Sequence, residues 1–305
     1  MFIFPKQKTF NIGGIKIGGQ MNNPPVLIGT IFYKGQDIFT DETKGIFNKK
    51  IAKRLIENQE KLFHETGIPC MIDVCGDSKD KILRNIDFVL DITDLPIIID
   101  SPDPNVRMAG LQHAQEIGVI DRIIYNSINM SIKPFEIREI KESGIESAIL
   151  LCYNPKDSSL NGRIKLLETG AGLIKKGLID VAKECGITKP LIDTAISPIG
   201  NGAGSAIRAI MAVKSKFGFP VGNAIHNAVR SCNWIKDKEL LMQIDCASNS
   251  LVRIIGADFI MYGPIEHSEK VYRNIFLVEC IVGEVLEEIG FKIEKDHPYN
   301  RLVSI

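Results

Sequence analysis

The chain has 305 residues, 37 Lys+Arg against 37 Asp+Glu, and therefore a formal net charge of zero. Zero net charge gives no electrostatic footprint for nucleic acid and no basic face for anionic lipid. With no run of ~18 apolar residues, and an amino terminus (Met1-Phe-Ile-Phe-Pro-Lys-Gln-Lys) that lacks the arrangement of a cleavable signal, a soluble cytoplasmic protein with no direct membrane insertion is expected.

Residues 10–19 place two short alternating runs around Gly13-Gly14, which is the pattern of a β-hairpin, and residues 1–25 read as an amino-terminal extension built on it. Apolar runs of strand length then recur at Val26–Tyr33, Pro69–Cys75, Pro96–Asp100, Asp121–Asn126, Glu146–Tyr153, Pro190–Ala195, Phe219–Ile225 and Ala257–Gly263. Their starts lie roughly 25 to 45 residues apart, the period of βα units. Eight such units predict a closed (β/α)8 TIM barrel in one domain spanning residues 1–305, since a barrel needs only ~250 residues. One large core follows from it.

After the first strand, Tyr33–Phe47 is a long connection before a helix at Ile51–Glu65, and connections of more than ~12 residues tend to be functional. It is expected on the catalytic rim. Asp77 or Ser78 caps a second helix, Asp103-Pro104 opens a third, and a fourth runs from Pro134 to Gly144. Residues 154–172, rich in turn formers, read as the longest connection and as partial cover for the site. The last helix is expected at Ser268–Gly290, with residues 291–305 as a tail. Seven cysteines (70, 75, 152, 185, 232, 246 and 280) include no Cys-x-x-Cys pair, so no zinc knuckle or disulfide framework is indicated; Cys70, Cys75 and Cys152 read as small buried hydrophobes.

In barrels of this type the site lies at the carboxyl ends of the strands. Sorting polar residues by that rule leaves Asp73, Asp100, Asn126, Asn129, Asn154, Asp193, Asn223, His226, Asn227 and Glu266. The set contains no Ser-His-Asp arrangement, no strand lysine for a Schiff base and no histidine pair at ligand spacing, so no metal is expected. Carboxamides donate and accept, and carboxylates accept, which suits a flat heterocycle with several ring nitrogens and an amino group, such as a pterin. A structural role weighs against this for the asparagines, which often tie down loop backbone, and His226 divides evenly between the two readings. Asp100 and Asp193 end apolar strands, where an unpaired carboxylate is costly without a function. Gly200–Ser205, with Arg208 one turn on, offers a weaker anion cradle for a cofactor tail.

The segments Ile98–Asp103, Ile124–Asn129, Leu191–Asp193 and Ala224–Asn227 resemble the strand ends of barrel methyltransferases that take a methyl group from a methylated tetrahydropterin and give it to a corrinoid protein. Lys44–Phe47, Val221-Gly222, Ile225–Asn227, Tyr262–Ile265 and Asp296–Asn300 are similar, more specifically, to the H-subunit family of tetrahydromethanopterin S-methyltransferase. The likeness runs over almost the whole chain. It implies that Asp100, Asn126 and Asp193 hold the pyrimidine edge of the pterin, that Asp193 biases its protonation, and that Asn227 lies near the nitrogen carrying the methyl group. Asp193 and Asn227 are thus the catalytic candidates, and Asp73, Asn129, Asn154, Asn223, His226 and Glu266 are of second rank. It further implies tetrahydromethanopterin or tetrahydrofolate as methyl carrier, a cobalt corrinoid on a partner protein as acceptor, and a homodimer. The chain departs from the family pattern in the turn Gln20–Pro25 and in a short segment between Asn227 and Leu240. Two alternatives are a pterin enzyme of the dihydropteroate synthase type and a non-catalytic docking module.

Overall fold

The computed structural model describes residues 3–302, so Met1, Phe2 and Val303–Ile305 of the two terminal extensions lie outside it. All eight predicted runs form the strands of one closed parallel barrel: β3 (Val26–Ile31), β6 (Cys70–Cys75), β7 (Ile97–Asp100), β8 (Ile123–Ile128), β9 (Ser147–Leu151), β10 (Lys189–Asp193), β11 (Val221–Asn223) and β12 (Phe259–Pro264), the last pairing back with β3. These strands are almost wholly buried because helices cover the outside and side chains fill the inside, so they read as continuous apolar runs.

The hairpin β1 (Thr9–Ile12) and β2 (Ile15–Gly18) pairs antiparallel about Gly13 and Gly14, whose φ angles of 49° and 86° demand the turn that glycine makes cheaply. A Cβ on Gly13 would meet Pro96 and Arg122, and one on Gly18 would meet Pro220. These neighbours lie at the starts of β7, β8 and β11, so the hairpin crosses the amino-terminal end of the barrel. The site is at the other end.

The rim loop after β3 is shaped by its own small hairpin, β4 (Phe39–Asp41) and β5 (Ile46–Phe47). Outer helices follow in order: α1 (Lys49–Thr66), α2 (Lys79–Leu90), α3 (Pro104–Glu116), α4 (Pro134–Ser143), α5 (Leu160–Thr169), α6 (Leu178–Glu184), α7 (Ala203–Phe217), α8 (Ile225–Arg230), α9 (Lys238–Ile255) and α10 (Ser268–Glu288). Asn48 caps α1 by accepting from Lys50 and Ile51, and Asp103 caps α3 by accepting from Asn105 with Pro104 in the first turn.

Two expectations are corrected. Residues 154–172 are mostly the helix α5 with a short 3-10 turn, not an open cover, because Ser159 caps a helix there by accepting from the Gly162 amide. The seventh strand stops at Asn223, so His226 and Asn227 sit on the short helix α8 and not on a strand end. The tail forms one further helix, α11 (Pro298–Leu302), which packs on α10. Beside the main core, Phe4, Met21, Val278, Val282 and Leu286 form a small second cluster under the amino-terminal segment.

Candidate active site

Parallel register brings the ends of neighbouring strands together. Thr30 pairs with Asp73, Cys75 with Asp100, and Asp100 with Asn126, so four consecutive strands present polar groups along one rim. The Thr30 hydroxyl donates to Asp73 at 2.8 Å, while the other Asp73 oxygen is buried without a partner. Burial and the neighbouring Asp100 charge hold the Asp73 carboxyl well above the usual carboxylate range, and burial lifts Asp100 to about 6 against the opposing pull of Arg107. One oxygen of each lies within 4.8 Å of the other, so each carboxylate disfavours ionisation of its neighbour.

Cys75 departs from the buried-hydrophobe reading that holds for Cys70 and Cys152. It is partly exposed, and its thiol faces Asp100 at 3.9 Å, with burial and then both carboxylates raising its pKa. A cavity of ≈ 270 Å³ opens here between Cys75, Asp100, Ser101 and the rim loop residues Phe32, Tyr33 and Phe39. That loop therefore lies on the rim as expected.

Asp193 ends β10, accepts the Ala195 amide at 2.7 Å, and is pushed up to about 6 by burial despite that bond and the nearby Arg163. Asn223 donates to the Thr194 hydroxyl at 3.1 Å and keeps its own carbonyl oxygen buried and unpartnered. Asn227 is exposed on α8, and Glu266 is exposed beyond β12, where it accepts from Gln36 at 2.8 Å and Tyr33 at 3.3 Å and so ties the rim loop to the eighth unit. His226 is buried, with Nδ1 2.9 Å from Asp245.

Two of the candidates are occupied by their own loops. Asn154 accepts the amides of Lys156 and Asp157 and donates to the Gly162 carbonyl, and Asn129 accepts from Ser131 through both amide and hydroxyl. These are Asx-turn bonds, so neither side chain is free in this conformation to read a ligand. Gly200 and Gly202, at φ 84° and 100°, are accounted for by the turn into α7.

Sequence reasoning missed two buried arginines that shape the site from below. Arg107 of α3 donates to the Ser101 carbonyl at 2.6 Å, the Tyr125 hydroxyl at 2.8 Å and Glu136 at 2.7 Å. Arg163 of α5 donates to the carbonyls of Thr194 at 2.7 Å and Ala195 at 3.0 Å, and also to that of Ser158. Each fixes the backbone that follows a rim carboxylate, Asp100 in one case and Asp193 in the other. No strand-end rule finds a helix residue that acts this way.

Carboxylates and carboxamides at the strand ends are groups that a pterin ring could bond. Asp73 and Asn223 keep buried oxygens without protein partners, and the cavity beside Asp100 has an apolar wall of Phe32 and Phe39, features of the kind a flat heterocycle with both donors and acceptors would use. Comparison with known proteins adds independent findings. The family model described as "Tetrahydromethanopterin S-methyltransferase MtrH subunit" matches residues 5–294. The H subunit of tetrahydromethanopterin S-methyltransferase from Methanopyrus kandleri is 42% identical over 98% of this chain and 99% of its own. The H subunit of the putative methyltransferase mtx from Methanosarcina mazei is 43% identical over 99% of this chain and all of its own. Among solved structures, dihydropteroate synthase of Yersinia pestis superposes with a TM-score of 0.67 at 13% identity, covering 91% of this chain and all of that one, which shows the shared fold alone.

Proposed function

The chain belongs to the H-subunit family of tetrahydromethanopterin S-methyltransferase, a family of methyltransferase subunits, and from that premise we propose that it moves the methyl group of N5-methyl-tetrahydromethanopterin to the cob(I)amide of a corrinoid protein. The observation that carries the reading is the rim of Asp100, Asn126 and Asp193, on strands β7, β8 and β10, in a chain 42% identical over almost its full length to an H subunit of that enzyme. Methyl-tetrahydrofolate is the alternative donor, since both carriers have the pterin head that this rim would hold.

The transfer breaks the bond between N5 and the methyl carbon, leaves its electron pair on N5 and calls for a proton there. Asp100, Asn126 and Asp193 hold the pyrimidine edge and fix the ring's orientation. Asp193, with its carboxyl at about 6, biases the protonation of the bound ring. Asn227 reaches N5 from α8 and donates a hydrogen bond as the methyl group departs. Positioning is the largest contribution available to such a site, up to ~7–11 kcal/mol, and one donor aimed at a developing charge adds ~3 kcal/mol. The corrinoid, carried on its partner, approaches the open end of the barrel. No helix of the described residues is long and apolar enough to cross a membrane, which is compatible with a place at the edge of a larger complex. Leu277 and Ile281 on α10, with Leu251 and Ile254 on the adjoining α9, are exposed apolar residues that support a homodimer through the outer helices.

The decisive experiment is an anaerobic titration with methyl-tetrahydromethanopterin and, separately, methyl-tetrahydrofolate, following the visible absorbance of cob(I)alamin supplied free and on a corrinoid protein. Methylcobamide formation with one pterin is expected and names the donor. Binding of a pterin without methyl transfer on either corrinoid would overturn the transferase reading and favour a synthase of the dihydropteroate type. Absence of pterin binding would favour a docking module.

A further inference from the structure

Outside the pterin rim, three side chains from distant positions meet between the seventh and eighth units. His226 comes from α8, Asp245 from α9, and His267 from the 3-10 turn after β12. His226 Nδ1 lies 2.9 Å and His267 Nδ1 4.0 Å from the same oxygen of Asp245, and one ligand atom from each residue falls within 4.8 Å of the other two. Asp245 is 2% exposed, and its second oxygen and His267 Nδ1 are buried with no hydrogen-bond partner. A hydrogen bond between His226 and Asp245 alone leaves both atoms unexplained.

We propose that His226, Asp245 and His267 form a binding site for a divalent metal ion of the zinc class. Bonds of ~2.0–2.2 Å to nitrogen and carboxylate oxygen in a tetrahedron place neighbouring ligand atoms about 3.3 Å apart, between the two separations seen here. The two rings stand edge to face with centroids 5.9 Å apart, so their nitrogens converge without stacking. His226 is held in place because it packs on Gly263, where even a Cβ would come within 2.4 Å of its ring. Asp245 and His267 also border a cavity of ≈ 750 Å³, which supplies a path in and room for a water in the fourth position. Lys34, Arg230, Lys238 and Lys270 line that cavity together with Asp37, Glu239 and Glu266, so its charge is mixed and the class of metal rests on the ligand atoms alone. Two imidazoles and one carboxylate offer mostly nitrogen, which suits zinc-class ions and not calcium or magnesium, whose ligands are oxygens.

The ion would join α8, the helix that carries Asn227, to α9 and to the turn that carries Glu266. It therefore bears on how the rim is positioned, but the inference does not depend on the methyl-transfer reading, because its test reads the ion itself. The whole chain, stripped with a chelator, is titrated with Co²⁺ as a spectroscopic probe. One equivalent per chain with the visible bands of four-coordinate cobalt, displaced by Zn²⁺, is expected. His267→Ala and Asp245→Asn should each weaken binding by more than the ~10- to 100-fold that loss of an outer-sphere partner produces. His267 is partly exposed, so its variant tests the idea even if Asp245→Asn folds poorly. Two results would overturn the proposal: no saturable Co²⁺ binding by the unaltered chain, or a thiolate-to-cobalt charge-transfer band, which would place the ion at Asp73, Cys75 and Asp100 instead.

Discussion

Asp193 ionises against its surroundings, because burial raises its carboxyl to about 6 while the Ala195 amide and Arg163 pull the other way. The native state therefore binds more protons than the unfolded chain between about pH 4 and pH 6, and wild-type stability falls as pH rises through that window. Asp193→Asn removes this slope. At pH 7.5 the variant should be more stable than wild type by up to ~3 kcal/mol, with the difference shrinking toward pH 4, as urea melts at the two pH values would show. Pterin affinity should move the opposite way: if the ionised carboxylate accepts from the ring, binding weakens as pH drops below about 6, and flat calorimetric affinity from pH 5 to 8 would remove Asp193 from the cradle. Asp193→Ala and Asn126→Ala should each weaken pterin binding with unchanged circular dichroism. Asn227 is exposed, so Asn227→Ala should leave stability unaltered and slow methyl transfer by roughly 10²- to 10³-fold, more than it weakens binding. A loss confined to affinity would make it a positioning residue. The strand-end rule pointed to Asp100, Asn126 and Asp193 because a polar group closing an apolar run is visible in one dimension. It could not separate them from Asn154 and Asn129, whose Asx turns use the same residue type, nor find Asp245 and His267, which meet only in three dimensions.

At the scale of elements, the two buried arginines convert helix packing into rim geometry. Arg163→Met would strip the carbonyls of Thr194 and Ala195 of their donor, at ~1–3 kcal/mol for each buried group left unpaired, and would raise Asp193 further by removing a nearby cation. Its expected signature is a joint loss of stability and pterin affinity; lost stability with wild-type affinity would show that the loop after β10 keeps its shape unaided. Arg107→Met leaves Glu136, 1% exposed, without its partner cation, and should cost ~3–5 kcal/mol. The barrel itself was readable because strands buried on both faces spell out apolar runs, and because capping residues such as Asn48 and Asp103 mark where helices start. The helix α5 was obscured by Ser, Asn and Gly, which signal turns wherever they occur, and the end of β11 was hidden because apolar Ile225 continues the strand's pattern onto α8.

For the molecule as a whole, the seventh and eighth units carry the connections that hold the two ends of the chain together. Arg253 of α9 is fully buried, donates to Glu279 of α10 at 2.9 Å, and also reaches the carbonyls of Met21 and Asn23, so the amino-terminal segment is anchored on these helices from inside. Their outer faces are different. Leu251, Ile254, Leu277 and Ile281 are 48%, 39%, 63% and 50% exposed on two helices that pack side by side. Single exposed apolar residues are ordinary, but four on adjoining helices, one helical turn apart within each, are residues that a second copy would cover. A two-fold contact there would leave both barrel mouths open to a corrinoid partner. Sedimentation equilibrium should accordingly find a dimer, and the double change Leu277→Glu and Ile281→Glu should yield monomers whose pterin affinity is unchanged, since these side chains lie outside the barrel and away from the rim. A monomeric wild type at micromolar concentration would assign these residues to a different protein of the complex, and a monomeric variant that lost pterin binding would show that the assembly, and not the single barrel, completes the site.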